Sequence, residues 1–488
     1  MKRWNVSKKW LSFFKTPIFL ITLFISGLII ASFLTSQKTF LSTALILSTA
    51  ACILAIFQAK KILIPVLIII LGVSYLWLFQ TLEKNINIGC SDVFVSSNPV
   101  YDGNTAKFAV KDRSGKRAFV NLKTAERFEY SDQINLCFTS EDAKLQTGSY
   151  GRYLKARYLT DELINNPQIK LVGNGRSVLR YLYGFATEVS NILTSIFPGD
   201  EGSLSKGLIL GGSQGFSPSF MRALRGSGTS HLVAVSGYNV SIITIVLFQV
   251  IRQTFSRRAA IVTTLIVLLT FCLLTGATAS VLRASLMGFL YILAKIIGRR
   301  GAIVNSLFVA ALIMVLINPF SIWDVGFQLS FFATLGLVLL EQPLRIIFER
   351  FAKLPQVFLT SMTATLSAQI FTLPILLSQF GQVSILSPIA NTLILPFVPI
   401  AMLMVAITVV AHQIIPIIGT FFAGLTEILL GYIIFIINFF GNASFSALTI
   451  DAMPIIYFVI LYIGVILLTI WIKTKAKKIT RNTDGQSF

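Results

Sequence analysis

Hydrophobic positions run unbroken for a helix length at both ends of this chain, and between those runs they alternate with polar ones. Three apolar runs come first, at 17–34, 41–57 and 62–78. Each approaches the roughly 20 apolar residues that carry a helix across about 30 Å of hydrocarbon. The first lacks the small-residue cleavage site of a secretory leader, so residues 1–82 are expected to hold three retained spanning helices. From 85 to 178 the period shortens. At 105–112 and 116–123 apolar residues alternate with polar ones between glycine and asparagine turns, which predicts a small β-rich, water-soluble domain. Residues 184–230 mix glycine and serine with weakly amphipathic segments such as 217–226, a pattern suited to lying along a membrane surface. Nine more apolar segments fill 231–474, near 231–252, 259–276, 281–298, 303–317, 325–342, 357–377, 389–410, 417–440 and 453–472, and a basic tail occupies 475–488. The pattern predicts a polytopic α-helical membrane protein of about 12 spans with an inserted β-rich external domain.

Composition agrees. Hydrophobic residues make up 55% of the chain and charged ones 12%, about half the roughly 25% usual in soluble domains, which excludes a soluble globular protein. Lysine and arginine number 41 against 20 acidic residues. If every segment spans once, 20 of those cations, from Lys2 and Arg3 through Arg257, Arg299 and Arg345 to Lys478 and Arg481, gather on one side, while the opposite short loops hold Lys38 alone. This satisfies the positive-inside rule with both termini cytoplasmic and the β-rich domain facing outward. The basic balance is therefore read as topology rather than as a nucleic-acid signal. Four cysteines and two histidines are not clustered at zinc-ligand spacings, and no G-x-x-x-x-G-K-[ST] loop is present. No metal, cofactor or nucleotide hydrolysis is expected, and a partner or a gradient must power any transport.

Within the external domain, residues 87–178 carry 13 basic and 10 acidic side chains. Lys107, Lys111, Arg113, Lys116 and Arg117, followed by Lys123 and Arg127, are interleaved with Phe108, Phe119 and Phe128. Single-strand-binding β-barrels combine a cationic groove with aromatic faces on which bases stack. Residues two apart share a strand face, so Lys107 points away from Phe108, and a solvated outer face over an aromatic core is the other reading. Cys90 and Cys137 are the cysteines outside apolar segments, on the side where disulfides persist; a bridge between them is expected, with two free thiols as the alternative.

Polar residues inside apolar segments cost roughly 2.5–3.5 kcal/mol when charged, so each asks for a reason. They fall in motifs: Ser-His-Leu-Val-Ala-Val-Ser-Gly at 230–237 followed by Tyr238 and Asn239, Leu-Arg-Ala at 282–284, Asp-Val-Gly-Phe-Gln-Leu-Ser at 324–330, Thr372 with Pro374, Phe380-Gly381, and Ala390-Asn391. In these motifs, over about 85–400, the chain resembles the ComEC-type competence proteins. The resemblance implies an OB-like external domain and an inner-membrane channel that conducts single-stranded DNA into the cytoplasm during natural transformation. It also implies a periplasmic or surface DNA receptor, a cytosolic helicase or ATPase, contact with membrane lipid, and a possible homo-oligomer.

Longer members carry a metallo-β-lactamase-like nuclease domain, but no H-x-H-x-D-H occurs here, so no enzymatic activity is expected. His231, Ser236, Asn239, Arg283, Asp324, Gln328, Gln369 and Asn391 are the residues expected along the DNA path or at its mouth. Arg283 is assigned to phosphate, since a guanidinium forks onto phosphate oxygens. Headgroup snorkelling, helix capping and interhelical hydrogen bonding are the structural alternatives for this set. The glycines from 207 to 228 are assigned either to the entrance lining or to loop punctuation. A secondary transporter or lipid exporter, coupling protons through Glu427, His412 and Lys295, is the competing function. Ser236 with His231 as a hydrolase pair is disfavoured, because a five-residue offset separates the side chains by about 140° on a helix.

Overall fold

The structure, a computed structural model, describes residues 17–32, 60–82, 86, 88–146, 148–212, 214–234, 237–296, 303–350, 354–443, 445–450 and 455–484. The apolar run at 41–57, Ser236 and Lys38 lie outside the described residues, as does the side chain of Lys295. Two compact units emerge: Met1–Arg176 with Ala294–Asp324, and Ser177–Leu293 with Val325–Phe488.

In the first unit the apolar helices Pro17–Ser32 and Lys60–Leu82 pack side by side, with Gly27 against the Ile69 backbone and Gly72 against the Phe24 carbonyl. Small residues permit that approach, which between lipid-embedded helices replaces the missing hydrophobic drive. The Tyr75 hydroxyl donates to the Leu316 carbonyl at 2.6 Å, tying the pair to helix Ile303–Ile317.

The same unit holds an eight-stranded sheet: β1 Gly89–Val95, β2 Val100–Asp102, β3 Thr105–Asp112, β4 Arg117–Lys123, β5 Gln133–Phe138, β6 Ala143–Leu145, β7 Glu162–Asn165 and β8 Gln168–Gly173. Its order is β6-β7-β4-β3-β1-β5-β8, with β2 on β3. All pairings are antiparallel except β4 with β7. A parallel pair needs a long crossover, and the chain between these two strands includes helix Gly148–Tyr158. The sheet has two cores. Phe108, Val110, Val120, Ile134 and Leu136 are fully buried on one side, with Phe108 and Phe128 rings 5.4 Å apart. On the other, helix Gly148–Tyr158 covers Ala109 and Phe119 with Leu154 and Tyr158.

Cys90 and Cys137 face each other in the β1–β5 register and are joined as a disulfide. The bridge closes a sequence separation of 47 and restricts the unfolded chain. Replacing both cysteines with serine is expected to lower the stability of this domain by about 4 kcal/mol on the loop-entropy scale, read as an earlier midpoint for protease cleavage within 89–173 under denaturant. An unchanged midpoint would contradict it.

Among the described residues, four helices of the second unit are long and apolar enough to cross a membrane: Val325–Glu349, Gln356–Phe380, Pro416–Gly441 and Ile456–Thr480. A fifth span arises if the bent pair Ser387–Ile394 and Val398–Ile414 counts as one. Shorter apolar helices include Arg258–Leu274 and Ala279–Ala294 here and Ile303–Ile317 in the first unit. The apolar segment at 389–410, expected as one helix, is instead broken at residues 395–397 with a bend of 47°. Pro396 lies in the break; its ring has no N–H to donate and clashes with the preceding turn.

The stretch at 184–230 folds as helices Val178–Ile196, Gly199–Ile209 and Pro218–Gly226. Ser217 caps the last of these, accepting from the Phe220 N–H at 3.2 Å, and Pro218 follows at a position where its missing N–H costs nothing. Leu204, Leu208, Phe220 and Leu224 are buried with Ile394, Val398, Leu430 and Ile433 in one core of the unit. The amphipathic stripe therefore meets protein.

Candidate functional site

The 230–237 signature runs from a short 3-10 turn, Ser230–Leu232, to the first residue of helix Gly237–Thr254. Val233 packs 3.1 Å from the position a Cβ on Gly207 would take, and its carbonyl accepts from the Gly212 N–H at 3.0 Å. Asn239, buried one turn further on, donates to the Leu208 carbonyl at 3.4 Å. The signature is thereby fastened along helix Gly199–Ile209.

Arg283 lies in the first turns of helix Ala279–Ile296 and is only 8% exposed. Its Nη1 donates to the Ser330 carbonyl at 2.9 Å, and its Nη2 occupies the place a Cβ on Gly237 would take, so any side chain there would displace it. Its buried Nε has no partner, and within this unit no described carboxylate forms an ion pair with it. Three of the motifs, at 230–237, 282–284 and 324–330, thus converge on one guanidinium. Gln328 is two residues before Ser330 on helix Val325–Glu349. A buried guanidinium without a carboxylate keeps hydrogen-bonding capacity for an anion.

A second polar neighbourhood surrounds the turn at Gly228. The Gly228 backbone has φ +71° and packs so closely on Ser384 and Ser387 that a Cβ would lie 2.8 Å and 2.6 Å from theirs. The His231 ring hydrogen-bonds the Gly228 backbone. Asn391 donates to the Ser387 hydroxyl at 3.0 Å, and Gln369 donates to the Ser384 carbonyl at 2.7 Å. Gln369 Oε1, Asn391 Oδ1 and Ser384 Oγ remain buried without partners. Leaving a buried polar atom of this kind unsatisfied costs about 1–3 kcal/mol. Sequence reading placed Gln369 and Asn391 but missed Ser384, whose short strand Gln382–Ser384 pairs with Ala447–Thr449. No local signal distinguishes that serine.

Of the glycines before the signature, Gly211, Gly212 and Gly215 take positive φ in the loop between helices Gly199–Ile209 and Pro218–Gly226, whereas Gly207 and Gly226 sit at close packing contacts. Gly226 packs on the Gly441 carbonyl and Gly441 on Ala223, so two helices meet backbone to backbone. Asp324 belongs to the first unit, where it closes the 3-10 turn Pro319–Trp323 and feels the charge of Arg157. Of the transporter residues, Glu427 is exposed midway along helix Pro416–Gly441, and His412 stands in the last turn of the preceding helix with Nδ1 buried and unpaired. Asn239, Arg283 and Asn391 are all buried, so in this conformation they do not edge an open passage. Two concave surfaces lie elsewhere: about 430 Å³ beside Arg127, Phe128 and Lys170 in the sheet domain, and about 490 Å³ of wholly apolar groove between Ala406 and Ile418.

On the external domain the interleaved aromatics are not available for stacking. Phe108, Phe119 and Phe128 are buried, while Lys111 and Arg113 are exposed and Lys107, Lys116 and Arg117 half-buried. The reading of a solvated face over an aromatic core holds there, because side chains alternate along a strand. At the β3–β4 hairpin Asp112 accepts from the Ser114 hydroxyl and the Lys116 N–H, both at 2.8 Å, setting a carboxylate among those cations.

A family described as Competence protein matches residues 208–475, a stretch that begins after the sheet domain. ComE operon protein 3 of Bacillus subtilis (strain 168) is 32% identical over 211 residues, 43% of this chain and 26% of that protein. No solved structure matches. Neither similarity points to a transporter of small substrates.

Proposed function

This chain belongs to the Competence protein family, and from that premise we propose that it conducts single-stranded DNA across the inner membrane into the cytoplasm during transformation. The observation that carries the reading is Arg283: a buried guanidinium, held by Ser330 and pressed on Gly237, with no ion pair to a carboxylate among the described residues of its unit. A phosphodiester supplies the missing anion through charge-assisted hydrogen bonds. Gln369, Ser384 and Asn391 add unpaired oxygens that base amino groups or water satisfy. Because these residues are buried, passage requires the helices around them to part, and the glycine-mediated contacts are the seams along which they do so.

The topology belongs to the same proposal. About twelve spans, termini in the cytoplasm and an outward sheet domain with an OB-like role are supported by the one-sided distribution of lysine and arginine and by the shorter apolar helices. Hydrolysis is left to other proteins: a receptor delivers the strand and a cytosolic helicase or ATPase draws it in. A clean deletion tests the reading. Labelled DNA is expected to accumulate outside the membrane while transformants fall at least a hundredfold; normal transformation by the deletion strain would end it.

A further inference from the structure

Helix Gly148–Tyr158 carries, in eleven residues, three tyrosines, two arginines and a lysine with no acidic side chain. Its buried side is accounted for: Leu154 lies under the sheet with Ala109 and Phe119. The other side faces outward: Tyr150, Tyr153 and Arg157 follow one another at i, i+3 and i+7, one face of a helix, and all three are exposed, with the Arg157 guanidinium hydrogen-bonded to Tyr158, over its ring and near Asp324. The Tyr150 and Tyr153 rings lie 6.2 Å apart and within 23° of parallel. Arg152 stands beside them, its guanidinium 5.0 Å over the Trp323 ring.

The helix is firmly held from beneath. Asn318 Nδ2 donates to the carbonyls of Lys155 and Ala156 at 3.0 and 2.7 Å, capping its last turn. Lys155 bridges Asp161 at 3.0 Å and lies over Phe320. Near-parallel rings on a rigid support, flanked by arginines, present stacking faces and phosphate donors at once.

We infer that this face is where a single-stranded nucleic acid stacks on the external domain, with Tyr150 and Tyr153 as the base platform and Arg152 and Arg157 toward the backbone. The inference rests on the proposed function and supplies the surface that β3 and β4 do not, their aromatics being interior. A bilayer is the other partner that tyrosine and arginine suit, but helices that lie in lipid headgroups bury leucine, phenylalanine or tryptophan. Here the one leucine is inside and the exposed groups are hydroxylated or charged. Stacking accepts any base, so the surface selects single strands without selecting sequence.

The test uses the purified chain in nanodiscs with a fifteen-residue oligothymidine, partly substituted with bromodeoxyuridine, at 50 mM salt. Photo-crosslinks are expected within 148–158. A Tyr150→Ala/Tyr153→Ala pair is expected to weaken binding about tenfold or more, by the loss of stacking on two rings, while Tyr150→Phe/Tyr153→Phe keeps most of it. Binding that survives the alanine pair with crosslinks elsewhere overturns the inference and leaves the parent reading standing. Failure of the unaltered chain to bind the oligonucleotide brings both down. Quenching of a probe at position 150 by brominated lipid acyl chains would assign the face to the bilayer instead and overturn the inference.

Discussion

Replacing Arg283 with alanine is expected to leave the protein in the membrane at its usual level and to cut delivery of labelled DNA to the cytoplasm about ten- to a hundredfold. Hydrogen bonds to a charged group contribute about 1.5–3 kcal/mol, and each 1.4 kcal/mol is tenfold. Folding should tolerate the change. A buried cation that lacks a counter-ion contributes little to stability, and its one described bond is to the Ser330 carbonyl. Arg283→Lys separates charge from geometry: it keeps the cation but gives up the planar fork that reaches Ser330 and an anion together, so uptake should fall between wild type and alanine. The measurement is cytoplasmic label at matched membrane abundance. Wild-type delivery by the alanine variant would remove Arg283 from the path.

Gly228→Ala is expected to act on the fold. With φ +71° the backbone is in the left-handed region, where an L side chain costs about 1–2 kcal/mol. The new methyl would also meet Ser387 Cβ at 2.6 Å and Ser384 Cβ at 2.8 Å, and overpacking of that kind costs about 1–3 kcal/mol more. Together these approach the lower end of a typical folding free energy of about 5–15 kcal/mol. Membrane abundance should drop several-fold and the thermal midpoint should fall. Gly424→Ala is the matched control, since nothing lies within 4 Å of its Cβ position, and it should behave as wild type. A Gly228→Ala protein with an unshifted midpoint would show that Ser384 and Ser387 can yield, and that this turn is not a fixed contact.

The two substitutions differ because their neighbours differ, and that difference was invisible along the chain. Arg283 was conspicuous by being charged in an apolar run. Its partner, the Ser330 carbonyl, lies 47 positions away and is a backbone atom of no distinctive residue type. Gly228 stood in a glycine-rich stretch that reads equally as loop or lining; only its contact with serines near 384–387 separates the two. The tyrosine face is a third case. The residues were in view, but which of Tyr150, Tyr153 and Tyr158 face outward depends on how the helix settles on β3 and β4. Tyr158 packs on Phe119 with ring centroids 4.6 Å apart, while the other two remain outside.

The sequence by itself determined the class of molecule. Long apolar runs must be helices where lipid offers no hydrogen bonds, alternation with turn residues must be strands, and the motifs at 230–237, 282–284 and 324–330 mark the family. These are local properties, written in composition and period. The tertiary structure decided which strand face holds the phenylalanines, that Pro396 breaks a helix, and that three motifs meet at one guanidinium. Those outcomes depend on packing between segments tens to hundreds of residues apart, which no periodicity encodes.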